Sequence, residues 1–180
     1  MIRSLLLFAV VAVPALAQPK PHKENIRPIA ANEAGIGTQV PDFTFTTTSD
    51  KTFLLSKAMA GKKGFVIAVT STTCPLSKKY LPTLAKLEKQ FDEENIGFLY
   101  LNPIATDQPR KEESLPANYI HDKTGSIAKS IGARTTTDVF LIDPKRTVVY
   151  HGGIDDQYGL GYSADEPKRR MLKDAIEALL

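Results

Sequence analysis

The chain has 180 residues, with 23 Lys and Arg against 20 Asp and Glu, a formal charge of +3 and 42% hydrophobic content; this fits one compact domain with a short appendage and excludes wholesale disorder. The basic residues are scattered rather than gathered into a stripe with interleaved aromatics, which argues against nucleic acid as a partner. There is a single cysteine, Cys74, so no disulfide framework closes within one copy and any redox cycle borrows a second thiol or another reductant.

The first stretch reads as an address. Arg3 supplies a positive n-region, Leu5 to Val13 form an apolar run shorter than the about 20 residues that span a bilayer, and Ala15-Leu16-Ala17 is a small-x-small cleavage site. Residues 1–17 are expected to be a signal peptide removed after Ala17, giving a secreted or periplasmic protein with no stable membrane insertion; a retained hydrophobic anchor is the alternative. Cys74 lies far from that site, so lipid attachment at a cysteine following the cleavage point is not available. Residues 18–34, with Pro19, Pro21 and Pro28 among charges, read as an extended tether, and the folded domain is expected over 35–180.

Val40-Pro41-Asp42 leads into the alternating run Phe43-Thr44-Phe45-Thr46, and Asp50-Lys51 turns into Thr52-Phe53-Leu54-Leu55, the pattern of an opening β-hairpin. After a short helical turn near Ser56 and the Gly61 to Gly64 break, Phe65 to Thr70 is an almost uninterrupted apolar run, that of a strand buried on both faces. Beyond Cys74, the residues Tyr80, Leu84, Leu87 and Phe91 step by four, three and four, which is helical spacing, and Pro82 is expected to bend that helix.

A strand follows at Ile96 to Leu101, then a polar loop from Asn102 to Pro116, a short strand at Asn118 to His121 and a short helix at Ser126 to Ile131. Strands at Val139 to Ile142 and Thr147 to Tyr150 flank the turn Asp143-Pro144-Lys145. A glycine-rich loop precedes a terminal helix, with Met171, Ala175 and Leu179 on one face widened by Leu172 and Ile176. A β-α-β unit followed by an antiparallel hairpin and a closing helix implies an α/β fold, a mixed central sheet with helices on both faces.

The chemistry centres on Cys74. A thiol in the first turn of a helix meets unpaired backbone N–H groups and the positive end of the macrodipole, both of which favour thiolate; Lys78 and Lys79, one turn on, can add to this. The plain alternative is a small buried apolar residue, common for lone cysteines. Thr70, Thr72 and Thr73 either hydrogen-bond the thiolate or satisfy the loop backbone.

Gly35 to Leu180 resembles the thioredoxin-like superfamily, specifically the redoxin and AhpC/TSA (peroxiredoxin-like) group. The residues that carry the resemblance are Val40-Pro41-Asp42-Phe43 before a hairpin, the strand-to-Cys74-to-helix junction, and the run from Ala133 to Asp143 before Thr147 to Tyr150. The resemblance implies a thioredoxin-like fold with an N-terminal β-hairpin extension and a thiol oxidoreductase that needs no cofactor. It also implies residue roles. Ser77 stands three residues after Cys74, where dithiol members carry a second cysteine, so the site is CxxS. Ser71 supplies the hydroxyl that peroxidatic sites place three residues before the nucleophile, Ile67 stands where they have proline, and Arg134 is the candidate arginine. Thr137 falls where thioredoxins place a cis-proline, and Thr73, Ser77 and Thr137 are candidate substrate-binding residues.

Two enzymatic readings follow. Cys74 attacks a peroxide, with Ser71 and Arg134 holding its oxygens, or it exchanges with a substrate disulfide; in both, an external thiol or thioredoxin-like reductant resolves the product. A third reading is a non-enzymatic copper carrier, in which Cys74 and a histidine hold Cu(I). The histidines are His22 in the tether and His121 and His151 at strand ends, none spaced close to Cys74. Asp155 and Asp156 offer hard oxygen donors, but two acids without further spaced ligands read as a solvated turn.

Overall fold

A computed structural model describes residues 30–108, 115–159 and 161–180. The expected signal peptide, most of the expected tether and His22 lie outside the described residues.

The first elements form a two-stranded antiparallel sheet, β1 (Thr44–Thr46) and β2 (Thr52–Leu54), with Phe45 opposite Phe53. A single-turn helix, α1 (Leu55–Ala58), follows at once. Then come β3 (Gly64–Val69), α2 (Pro75–Phe91) and β4 (Ile96–Asn102), the β-α-β unit. The chain continues through β5 (Tyr119–His121), α3 (Ser126–Ser130), β6 (Val139–Ile142) and β7 (Val148–Gly152). The glycine-rich stretch, read from sequence as a loop, forms a minimal hairpin of β8 (Tyr158–Gly159) and β9 (Tyr162–Ser163) before α4 (Met171–Leu179).

The main sheet has the order β5-β4-β3-β6-β7, parallel across β3–β4 and β4–β5 and antiparallel across β3–β6 and β6–β7. The central strand β3 is buried at all six positions, as its unbroken apolar run requires. Because side chains alternate along a strand, Val66 and Ala68 face a core built with Tyr80, Leu84, Leu87 and Phe91 of α2 and Leu172 and Ile176 of α4. Phe65, Ile67 and Val69 face the opposite core, with Leu55 and Met59 from the α1 region and Ala128 of α3. Helices thus cover both faces of a mixed sheet. The fold is thioredoxin-like, with the expected N-terminal hairpin set beside it. Gly97 of β4 is the partner of Phe65, and a Cβ at that position would strike the Phe65 ring, so this close packing requires glycine.

Helix α2 runs through Pro82 without a break. Its proline contributes no N–H to the ladder, and the buried face of Tyr80, Leu84, Leu87 and Phe91 holds the helix on the sheet.

The end of the expected tether is not extended. Ala34 N donates to Ala30 O at 3.0 Å and Ile36 N to Ala31 O at 2.9 Å, giving a compact turn. The side chains of Arg134 and His151 bind the carbonyls of Glu33 and Ala34, 2.8 and 2.7 Å away. Those two contacts fasten the turn to the segment before β6 and to β7.

Candidate active site around Cys74

The site lies where the central strand ends. Thr70 N donates to Leu101 O at 2.8 Å, so the chain stays beside β4 for one residue past β3 before turning. Cys74 then occupies the N-cap of α2, with extended backbone (φ −77°, ψ 116°), and Pro75 opens the helix with the φ a first helical residue needs. Cys74 is partly buried.

As a thiol, Cys74 makes no capping hydrogen bond. Its ionisation is a balance. Burial pushes the thiol up, but hydrogen bonds that form to the thiolate, from the Thr136 hydroxyl and the Ser77 and Leu76 N–H groups, bring it below its ordinary value. The Asp107 charge works weakly in the opposite direction. The unpaired N–H groups of a helix start thus act as the sequence suggested.

Asp107 is the residue that sequence reasoning missed. It lies in the polar loop after β4 and only 1% of its surface is exposed. Its Oδ2 accepts the Ser71 hydroxyl at 2.7 Å, Thr72 N at 2.8 Å and Asn102 Nδ2 at 3.0 Å; its Oδ1 accepts the Thr73 hydroxyl at 2.6 Å. Burial alone would raise this carboxyl, yet the four donors hold it down at about 2, so it is an anion at neutral pH. Asn102 is fixed in turn, donating to Tyr119 Oη at 2.6 Å and accepting Ile104 N at 2.9 Å. The sequence shows four consecutive hydroxyl residues, Thr70 to Thr73, before the helix, but no pattern in it names their acceptor.

Ser71 Oγ, besides donating to Asp107, accepts Cys74 N at 3.1 Å and Thr73 N at 3.2 Å. Its contact with Cys74 is therefore to the backbone. Ser77 is buried at 4% exposure, and its Oγ accepts Ser71 N at 2.9 Å. The hydroxyl that replaces a second thiol thus ties the strand end to the first turn of α2. Thr72 uses its N–H and Thr73 its hydroxyl on Asp107, so these two residues serve the loop.

Thr137 and Arg134 contact groups other than Cys74. The hydroxyl that acts on the Cys74 sulfur belongs to Thr136, whereas Thr137 N and Oγ1 face Thr135 Oγ1, both at 3.4 Å. Asp138 closes the turn over 134–138 that carries both threonines, and no cis peptide bond occurs among the described residues. The exposed Arg134 directs its guanidinium to Glu33 O and is not among the groups that act most on the thiol. The reason is local: its own N–H caps Asp138 at 2.7 Å. Lys79 Nζ lies over the Tyr158 ring, 5.3 Å from its centroid.

The described histidines are engaged elsewhere. His121 Nε2 lies 2.9 Å from Ile104 O and His151 bonds Ala34 O, and no group of three or more metal-binding side chains occurs among the described residues. Asp155 Oδ1 accepts Gln157 N at 2.9 Å, and Asp156 Oδ1 accepts Lys168 N and Arg169 N at 2.8 and 2.9 Å. Both acids serve turns, but Asp155 is buried rather than solvated, because Tyr80 Oη donates to its carbonyl at 3.2 Å and holds the loop against α2.

The redoxin family profile matches residues 36–159. The chain belongs to the redoxin family. No curated protein sequence matches it. Among solved structures, a hypothetical protein of Sinorhizobium meliloti 1021 shares 25% identity, with a TM-score of 0.69 over 80% of this chain and 83% of the other. A Chlorobium tepidum protein provisionally assigned as a thiol:disulfide interchange protein, DsbE, shares 14% identity, with a TM-score of 0.63 over 80% and 96%. Peroxidoxin BcpB of Mycobacterium tuberculosis shares 17%, with a TM-score of 0.57 over 81% and 96%. The two latter likenesses are of fold.

Proposed function

We propose that this redoxin-family chain is an exported monothiol oxidoreductase that exchanges Cys74 with a disulfide substrate. The observation that carries the reading is the thiolate environment: a lone sulfur at a helix N-cap, stabilised by the Thr136 hydroxyl and two backbone N–H groups, with a serine in place of a resolving thiol. The Cys74 thiolate attacks one sulfur of the substrate disulfide, the substrate S–S bond breaks, and the second sulfur leaves as a thiolate. An external thiol or thioredoxin-like reductant then attacks the mixed disulfide, taking the substrate sulfur and restoring Cys74. Ser77 cannot perform that second step, so the mixed disulfide persists until the external thiol arrives.

Disulfide exchange is preferred over peroxide reduction because the two groups suited to a peroxide are occupied. Ser71 is spent on Asp107 and backbone N–H groups and Arg134 on Glu33. Export rests on the pattern of residues 1–17, and no helix among the described residues is long and apolar enough to cross a membrane.

The test is intact mass of the reduced protein after oxidised glutathione or, separately, hydrogen peroxide. One glutathionyl adduct, released by a small thiol and absent in Cys74→Ser, is expected. Gain of oxygen with peroxide and no adduct with the disulfide would replace this reading with the peroxidase one. An N-terminus at Met1 on the exported protein would remove the cleavage assignment.

A further inference from the structure

The Cys74 site is connected to a histidine on the far side of β6. His151, in the edge strand β7, is the register partner of Phe140 and stacks on its ring, with centroids 4.0 Å apart and planes inclined by 19°. Both ring nitrogens face acceptors: Nδ1 is 2.7 Å from Ala34 O and Nε2 is 3.5 Å from Asp138 Oδ2. A carbonyl only accepts, so the Ala34 bond requires a proton on Nδ1. A second proton on Nε2, which the carboxylate of Asp138 calls for, exists only in the imidazolium. The neutral ring satisfies one neighbour and not the other.

Asp138 in turn fastens the turn that carries Thr136. Its Oδ2 accepts Arg134 N at 2.7 Å and Thr135 N at 3.1 Å, and its Oδ1 accepts the Thr135 hydroxyl at 2.7 Å. Its backbone is pinned to the central strand, the carbonyl accepting Val69 N at 2.8 Å. Thr136 sits between Thr135 and Asp138, and its hydroxyl is the side-chain group that acts on the Cys74 sulfur. The charged groups facing His151 are Asp138, which favours its protonation, and Arg134, which opposes it; the N-terminal segment presents the Ala34 carbonyl. The balance raises the histidine above its ordinary value, the Asp138 bond leading and burial opposing.

We propose that His151, acting through Asp138, is a positioning residue for Cys74: the imidazolium holds the 134–138 turn so that Thr136 meets the thiolate, and loss of that proton loosens the turn. This rests on the reading above that Cys74 is the reactive nucleophile. It makes thiolate formation at Cys74 and protonation of His151 mutually supportive, and such linkage is reciprocal.

Three measurements on the full-length mature protein test the connection. The rate of Cys74 alkylation by iodoacetamide is followed from about pH 5 to 9, the range that brackets histidine titration, in the native protein and in His151→Gln. A loss of about threefold at the acidic end, vanishing at the alkaline end where the native histidine is also neutral, is expected, the size typical of coupling carried through packed residues. A constant ratio at all pH values, or superimposed profiles, would overturn the proposal. Because His151→Gln can destabilise the domain, the second measurement keeps His151. Its titration is followed by NMR, and replacement of Cys74 by serine is expected to lower the midpoint; an unchanged midpoint overturns the proposal. Third, the effect of His151→Gln is measured in a Thr136→Val background, where it is expected to disappear; persistence would show that the coupling bypasses the turn and would equally overturn it. Failure of disulfide exchange alongside intact coupling in the alkylation profile would remove the functional reading alone.

Discussion

The Ser71 hydroxyl and the Asp107 carboxylate lie 2.7 Å apart, buried beside the cysteine, and this bond links the end of the central strand to the loop after β4. It places a fixed negative charge near the Cys74 thiol, whose ionisation that charge opposes. Removing the charge while keeping the shape separates the two consequences. In Asp107→Asn the opposing charge is gone and the Cys74 thiol is expected to fall further, read from thiolate ultraviolet absorbance against pH. The amide cannot accept all four donors, so stability is expected to drop by about 2 kcal/mol, read from urea unfolding. A rise of the thiol would show that Asp107 acts through loop geometry rather than charge.

Ser77→Cys tests why the site stops halfway. Ser77 is buried on the first turn of α2, three residues after Cys74, and a thiol there stands where dithiol members of this fold carry a resolving cysteine. The variant is expected to form an intramolecular disulfide and to release the glutathionyl adduct of Cys74 without added thiol. Its cost is the hydrogen bond from Ser71 N, about 1 kcal/mol. A stable adduct unchanged from the native protein would show that position 77 cannot reach the mixed disulfide.

Thr136→Val removes the side-chain donor to the thiolate with little change in volume. Alkylation at neutral pH is expected to slow by about fivefold, the rate equivalent of about 1 kcal/mol, and the thiol to rise. Thr137→Val removes a contact with Thr135 only and is expected to change the rate far less. Equal effects from both would mean that the turn as a whole, rather than the Thr136 hydroxyl, governs the thiol.

The contrast between Thr136 and Thr137 shows what the amino-acid pattern conveyed. Strand β3, the α2 face from Tyr80 to Phe91 and the α4 face with Leu172 and Ile176 were legible because burial imposes periodicity on consecutive residues. The placement of Cys74 at a helix start was legible for the same reason, since it lies between two such patterns. Asp107 and Thr136 were not, because each reaches the site from a turn closed by side-chain hydrogen bonds, through Asn102 for Asp107 and through Asp138 for Thr136, and such bonds leave no period. The docking of residues 30–34 by Arg134 and His151 spans about 100 residues of sequence and is invisible locally on the same ground.

The Asp138–His151 pair sets opposite pH limits on stability. Burial would raise Asp138, but the His151 bond and the donors of the 134–138 turn hold it at about 2, below the unfolded value of 3.8; its contribution is present above that unfolded value and is lost as pH falls toward 2. His151 is raised above 6.5, led by the Asp138 bond, so its contribution is full below 6.5 and is lost as pH rises through the folded value. Together they favour a stability maximum between about pH 4 and 6.5. Urea midpoints measured from below that range to above it are expected to fall on both sides in the native protein. Asp138→Asn should flatten both limbs, because it removes the acid and the partner that raises the histidine, whereas His151→Gln should abolish the alkaline limb and only weaken the acidic one. An alkaline limb that survives His151→Gln would assign that loss of stability to another group.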